Sequence, residues 1–237
     1  MQKQSLSNQA MREIISMIAD GSYGVGERLP AERALCEHLG ISRGTLRKAL
    51  EGLEKLGVVS IRANSGVYVN SLADAKLTQR FLPPEFDSVR LEDIIRARKA
   101  IEIPACCLAC ERIDDRSLDN LEHLVGQMEE AIEDDLASFL KHDMLFHQAI
   151  VNASQNPVLA RAFEAIYEYH RFSSVFTSQR QGEERIASDY HTHLVAALRK
   201  RDASLCQRIM SEHLDHMQKY NSPAKGRTNN RKKKERA

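Results

Sequence analysis

The chain has 237 residues, 42% of them hydrophobic, and a formal net charge of +1. That length supports two modest domains or one large one. No apolar run approaches the roughly 18–20 residues that a membrane span needs, and MQKQSLSNQAM lacks the apolar centre of a signal peptide. The expectation is therefore a cytoplasmic protein with no membrane partner. The small net charge hides an asymmetry: residues 1–70 carry +2, residues 71–221 carry −7, and residues 222–237 carry +6. Such a chain suits one part facing phosphate and another facing something else.

In chain order, residues 7–19 place Ala10, Ile14, Met17 and Ile18 at helical spacing, with Ser7 as the expected N-cap. Gly21, Gly24 and Gly26 interrupt it. A short helix over Ala31 to Leu39 follows, with Pro30 at its start, and Gly40 supplies a turn. Ser42 caps a third helix whose Leu46, Leu50, Leu53 and Leu56 face inward, and Gly57 ends it. Val58–Ile61 and Gly66–Val69 then read as two strands of a hairpin around RANS. Three helices and a hairpin make a winged helix-turn-helix over residues 1–70, an arrangement that points to DNA. Residues 71–88, with Pro83-Pro84 and no clear period, read as a linker. From Leu91 the pattern is helical, predicting an all-α bundle of about six helices (91–110, 117–133, 136–153, 156–177, 183–200 and 202–218) within a domain over 89–221. Residues 222–237 are polar and basic, and a disordered tail is expected there. The fold class is mainly α.

In the third helix Arg43 and Arg47 are four apart and share a face distinct from the leucine seam. From there guanidinium groups can meet guanine edges or phosphates of double-stranded DNA. Ser42 and Thr45 are placed for backbone contact. Lys48 touches phosphate or points to water, and spacing leaves both open. Arg62 to Gly66 form the wing tip, with Gly66 permitting close approach. Taken singly, each arginine is as well read as a solvated helix former; the surrounding pattern favours DNA.

Gly21, Tyr23, Gly26, Leu29-Pro30, Glu32-Arg33, Leu35, Ile41-Ser42-Arg43, Thr45-Leu46-Arg47, Ala49-Leu50, Leu53 and Gly57-Val58-Val59 resemble the GntR family of bacterial transcription regulators. Arg98, Glu102, Asp143, His147, His191 and His213 resemble the subgroup of FadR type with an FCD ligand-binding domain. The two resemblances cover residues 7 to about 220. They imply that Arg33 also reaches DNA, and that the protein binds an operator as a homodimer.

Asp143 and His147 are an i, i+4 pair on one helical face. His191 and His213 lie on two later helices, each eleven residues from the joint at Asp202, so antiparallel packing brings them to similar depth. By spacing alone these residues either hold a cation or fill polar gaps between helices. The FCD resemblance implies a divalent metal ion, with Zn, Ni, Mn and Fe all compatible with one carboxylate and three imidazoles. It further implies a small carboxylate effector meeting the metal and Arg98. An ion pair from Arg98 to Glu102 or Asp143 is the competing role. His216, one turn past His213, is the nearest substitute ligand, and His38, His123, His142, His170 and His193 are not assigned to the site. Asn156 reads as a helix cap before Pro157.

Two rivals remain. A histidine-rich metal site could activate water in a hydrolase, but no motif places a general base, and GxSxG, Walker and GxGxxG patterns are absent. Cys107 and Cys110 have the spacing of a thiol redox pair, against which stands simple packing of small residues in a helix. The expected function is a regulator, of repressor sign, released from DNA by a small organic acid.

Overall fold

The computed structural model describes residues 5–70 and 89–219. The linker at 71–88 and the tail at 222–237 lie outside the described residues. The N-terminal domain comprises α1 (Leu6–Ala19), α2 (Glu32–Leu39), α3 (Arg43–Lys55), β1 (Val59–Arg62) and β2 (Gly66–Val69). The C-terminal domain comprises α4 (Leu91–Arg112), α5 (Asp115–Ala131), α6 (Leu136–Ala153), α7 (Pro157–Ala165), α8 (Tyr167–Thr177), α9 (Glu183–Arg199) and α10 (Ala203–Gln218). Among the described residues no helix is long and apolar enough to cross a membrane.

Local chemistry sets the helix ends. Ser42 Oγ accepts from the Thr45 amide at 3.2 Å and opens α3. Gly57, at φ +68°, takes the left-handed turn that closes it. Leu46, Leu50 and Leu53 are at most 1% exposed and fix the face by which α3 sits on the domain core. Burying each such side chain contributes about 1.5–3 kcal/mol. The strands pair antiparallel from Val59↔Val69 to Arg62↔Gly66, turning Val59, Val67 and Val69 into the core. Asp114, Asp135 and Asp202 cap α5, α6 and α10 by accepting from amides in the first turn.

Two expectations are corrected. Ser7 is a buried residue inside α1, and Ser5 accepts from the Ser7 amide as the cap instead. The single helix expected over 156–177 is broken at Ile166, whose φ of −103° and ψ of 9° leave the helical region between α7 and α8. Apolar periodicity continues across that break, so the pattern by itself carries no sign of it.

The two domains are fastened by buried polar contacts. Asn8 of α1 donates from Nδ2 to the Glu133 carbonyl and accepts at Oδ1 from the Leu136 amide, both at 3.1 Å. Arg12 of α1 forms a buried ion pair with Glu184 of α9. Arg171 of α8 donates to the Leu56 carbonyl beyond the last turn of α3. Gly52 lets α3 approach Met11 and Ala137; a Cβ there would stand 2.9 Å from Met11 Sδ and 3.6 Å from Ala137 Cβ.

Candidate functional site

The first site is the outer face of α3 and the wing. Ser42, Arg43, Arg47, Lys48 and Arg62 are exposed, and Thr45 is half-buried. Arg33 on α2 is 81% exposed, with only a 3.7 Å approach to Glu37. Arg47 lies 3.5 Å from Glu32 and is 69% exposed, a solvated pair that a phosphate can displace. Ser42 Oγ is shared between the Thr45 amide and the Thr45 hydroxyl, 2.9 Å away, so its first role is capping. Arg62 stacks on the Tyr68 ring at 4.4 Å, which holds its guanidinium at the wing. Gly66 answers to the protein's own packing: its φ is +120°, and a Cβ would stand 2.6 Å from Arg28 Nε. Arg28, not singled out from the sequence, is thus an exposed cation at the wing, bridged to Tyr68 through its backbone. Its signal was weak because it sits in a loop without helical period.

The second site lies inside the C-terminal bundle. His147 of α6, His191 of α9 and His213 of α10 offer ring nitrogens that all lie within 4.8 Å of one another. His147 Nε2 and His213 Nε2 are 3.3 Å apart. Asp143, one turn before His147, places Oδ1 3.5 Å from His191 Nε2 and 3.8 Å from His147 Nε2. The four residues separated in sequence therefore converge. His216 does not join them; its Nε2 lies 2.9 Å from Glu183 Oε2.

Charge around the cluster is arranged in layers. Arg98 is fully buried and grips Glu102 through Nε at 2.6 Å and Nη2 at 3.3 Å. Its Nη1 donates to Ser173 Oγ at 3.0 Å, and its Nη2 lies 3.4 Å from His147 Nε2. Glu102 Oε2 stands 2.6 Å from His147 Nδ1, which has no other partner. Burial raises the Glu102 carboxyl, but the Arg98 guanidinium and then His147 outweigh it and hold the group well below the usual carboxylate range. A carboxylate at Nδ1 turns the lone pair of Nε2 toward the other imidazoles, the arrangement that orients metal-bound histidines. The sequence had marked Glu102 by resemblance and as a possible ion-pair partner of Arg98, not as a partner of His147. His170 was left unassigned, yet its ring centroid lies 5.0 Å from that of His147, and Glu102, His147 and His170 form a second close donor set.

The residues fit a divalent ion. His191 is fully buried and neither of its ring nitrogens has a hydrogen-bond partner. Burial first, and neighbouring histidines next, push His191 and His213 well below the ordinary imidazole range. Neutral imidazoles are the state a cation requires of its ligands. Beside them a cavity of about 40 Å³ is lined by Asp143, Ser174, Ser178, Glu183 and His213. That is room for roughly three waters, at about 10–15 Å³ each. Ser174 Oγ donates to Asp143 Oδ2 at 2.9 Å and fixes that carboxylate.

Residues 6–69 match the model of the bacterial regulatory proteins of the gntR family, and residues 93–216 match that of the FCD domain. The HTH-type transcriptional regulator YcbG of Bacillus subtilis is 29% identical over 213 residues, covering 90% of this chain and 88% of that protein. The Uxu operon regulator of Haemophilus influenzae is 28% identical over 211 residues, covering 84% and 76%. Among solved structures, Escherichia coli McbR/YncC superposes with a TM-score of 0.51 at 23% identity, over 92% of this chain and 100% of that one. That likeness concerns the fold.

Proposed function

The chain belongs to the gntR family of bacterial regulatory proteins, with an FCD domain as its C-terminal half, and from that premise we propose that it represses transcription until a small organic acid enters a metal site between α6, α9 and α10. It is a DNA-binding transcription regulator and not an enzyme, as its relatives are. The single observation that carries the finer reading is the convergence of Asp143, His147, His191 and His213, with both ring nitrogens of the buried His191 lacking a hydrogen-bond partner.

A bound divalent ion would supply open coordination positions for a carboxylate. The chain's own residues do the rest. Glu102 holds His147 in orientation. Ser174 holds Asp143. Arg98, already neutralised by Glu102, sits 3.4 Å from His147 Nε2, where a second anion can share its guanidinium. An acid that enters the cavity of about 40 Å³ meets Ser174 of α8, and its binding shifts that helix.

α8 carries that movement outward. Ser173 and Ser174 bond to Arg98 and Asp143, while Arg171 on the same helix grips the end of α3. A homodimer presents two α3 helices to two half-sites, and displacement of α8 changes how each is held. Coupling of this kind is reciprocal, so operator DNA weakens acid binding by the factor that the acid weakens DNA binding.

Chelated and metal-loaded protein screened against organic acids by thermal shift, with operator titrations of the hits, tests this. Stabilisation requiring both metal and one class of acid, with weakened operator binding, is expected. Equal response of the chelated protein would end the metal-site reading.

A further inference from the structure

Four of the five cysteines lie on two packed helices: Cys106, Cys107 and Cys110 on α4, and Cys206 on α10. The pair marked by sequence spacing, Cys107 and Cys110, does not face itself. Cys107 is partly exposed and its Sγ lies 3.9 Å from the Ala203 carbonyl. Cys110 turns instead across to α10, where its Sγ is 3.5 Å from Cys206 Sγ. Both are at most 1% exposed. At that separation nothing stands between the sulfurs, and a disulfide needs them to close to about 2 Å.

We propose that Cys110 and Cys206 form a reversible disulfide that ties α4 to α10 when the protein meets a hydroperoxide. Cys206 is the sulfur that reacts first. A hydrogen bond from Cys106 lowers its thiol, opposed by burial and helped by a further bond from Cys110. Burial, then Cys206, pushes Cys110 up to about 12, so it keeps its proton until the second step. The thiolate, not the thiol, is the nucleophile.

In the first step the Cys206 thiolate attacks one oxygen of the hydroperoxide. The O–O bond breaks, the alkoxide leaves and takes a proton from water, and Cys206 becomes a sulfenic acid, oxidised by two electrons. In the second step Cys110 sulfur attacks Cys206 sulfur and gives up its proton. The S–S bond forms and hydroxide leaves, joining that proton as water. Two thiols and one hydroperoxide yield one disulfide, one alcohol and one water, and a small thiol reverses the change.

The tie has a structural consequence. Cys206 precedes His213 by seven residues on α10, and Cys110 follows Glu102 by eight on α4. The disulfide therefore fixes the two helices about two turns from the histidine cluster, in the interface that also holds the Lys99–Asp215 ion pair.

The test is a titration of the folded full-length protein with tert-butyl hydroperoxide, followed by alkylation, proteolysis and mass spectrometry. The count of free thiols should fall from five to three, with one linked peptide joining Cys110 to Cys206 that dithiothreitol releases. Cys107→Ala should retain the link, and Cys110→Ala and Cys206→Ala should each lose it while melting as folded proteins. Three findings would each overturn the proposal: oxidation confined to Cys107, a link through Cys106 or Cys107, or a link seen only after denaturant is added. None of these readouts involves metal or operator.

Discussion

Arg171 of α8 donates its guanidinium to the Leu56 carbonyl, where the backbone leaves α3. The same side chain is paired with Glu168 at 2.7 Å and is 11% exposed. One arginine thus joins the DNA-facing helix to the helix that braces Arg98 and Asp143. A cation at a helix C-terminus also offsets the helix dipole. Arg171→Met should destabilise the protein by about 1–3 kcal/mol, the worth of a charge-assisted hydrogen bond. It should also blunt the effect of metal and acid on operator affinity. Denaturant melts and operator titrations with and without metal measure both; an undiminished response would place the coupling elsewhere.

The DNA face should behave as a set of independent solvated cations. Arg43→Ala and Arg47→Ala should each weaken operator binding by roughly tenfold or more, about 1–3 kcal/mol, with unchanged melting temperature. Arg28→Ala and Lys48→Ala should lower affinity evenly across sequences and reduce the salt slope by about one if they meet phosphate. Electrophoretic mobility shifts over a range of salt distinguish the two classes, and wild-type affinity in Arg47→Ala would refute the placement of α3.

Metal binding should depend on side chains that converge, not on histidine content. His191→Ala and His213→Ala should lose the ion from the purified protein, whereas His216→Ala, which is paired with Glu183, should keep it. Glu102→Gln should weaken binding by about 10–100-fold while leaving every ligand in place. Metal analysis by inductively coupled plasma mass spectrometry reads each case. Retention by His213→Ala would contradict the assigned donor set.

Burial holds His170, His191 and His213 well below the ordinary imidazole range in the folded, metal-free chain. In the unfolded chain each titrates near about 6.5. Below that value the unfolded state binds protons that the folded state refuses. Stability is therefore full above about pH 6.5 and falls as pH drops toward the depressed values. Urea midpoints of chelated protein between about pH 7.5 and 5.5 should decline with acidification, and His170→Gln should flatten the slope. A pH-independent midpoint would mean that these rings are hydrated.

Arg12 and Glu184 are 7% and 1% exposed, and they join α1 to α9. Losing one partner strands the other as a buried charge. Arg12→Ala or Glu184→Ala should each cost about 3–5 kcal/mol, and the double variant clearly less than the sum. Additive losses in denaturant titrations would show the two residues acting separately.

The amino-acid sequence determined what is local. Helical period, the Ser42 cap and the glycine turns at Gly40 and Gly57 placed the winged helix and most of the bundle, because each depends on neighbours within about one turn. Asp143 and His147 were legible as a pair for the same reason. The break at Ile166 was not legible, since apolar spacing runs through it. Only packing of distant helices decided that Glu102 and His170 stand against His147, that Cys110 meets Cys206 and not Cys107, and that Arg171 reaches Leu56. Each of these contacts joins residues more than 20 positions apart, and a side chain's partner across that distance is set by how helices are docked, a global balance of burial that no short window of residues contains.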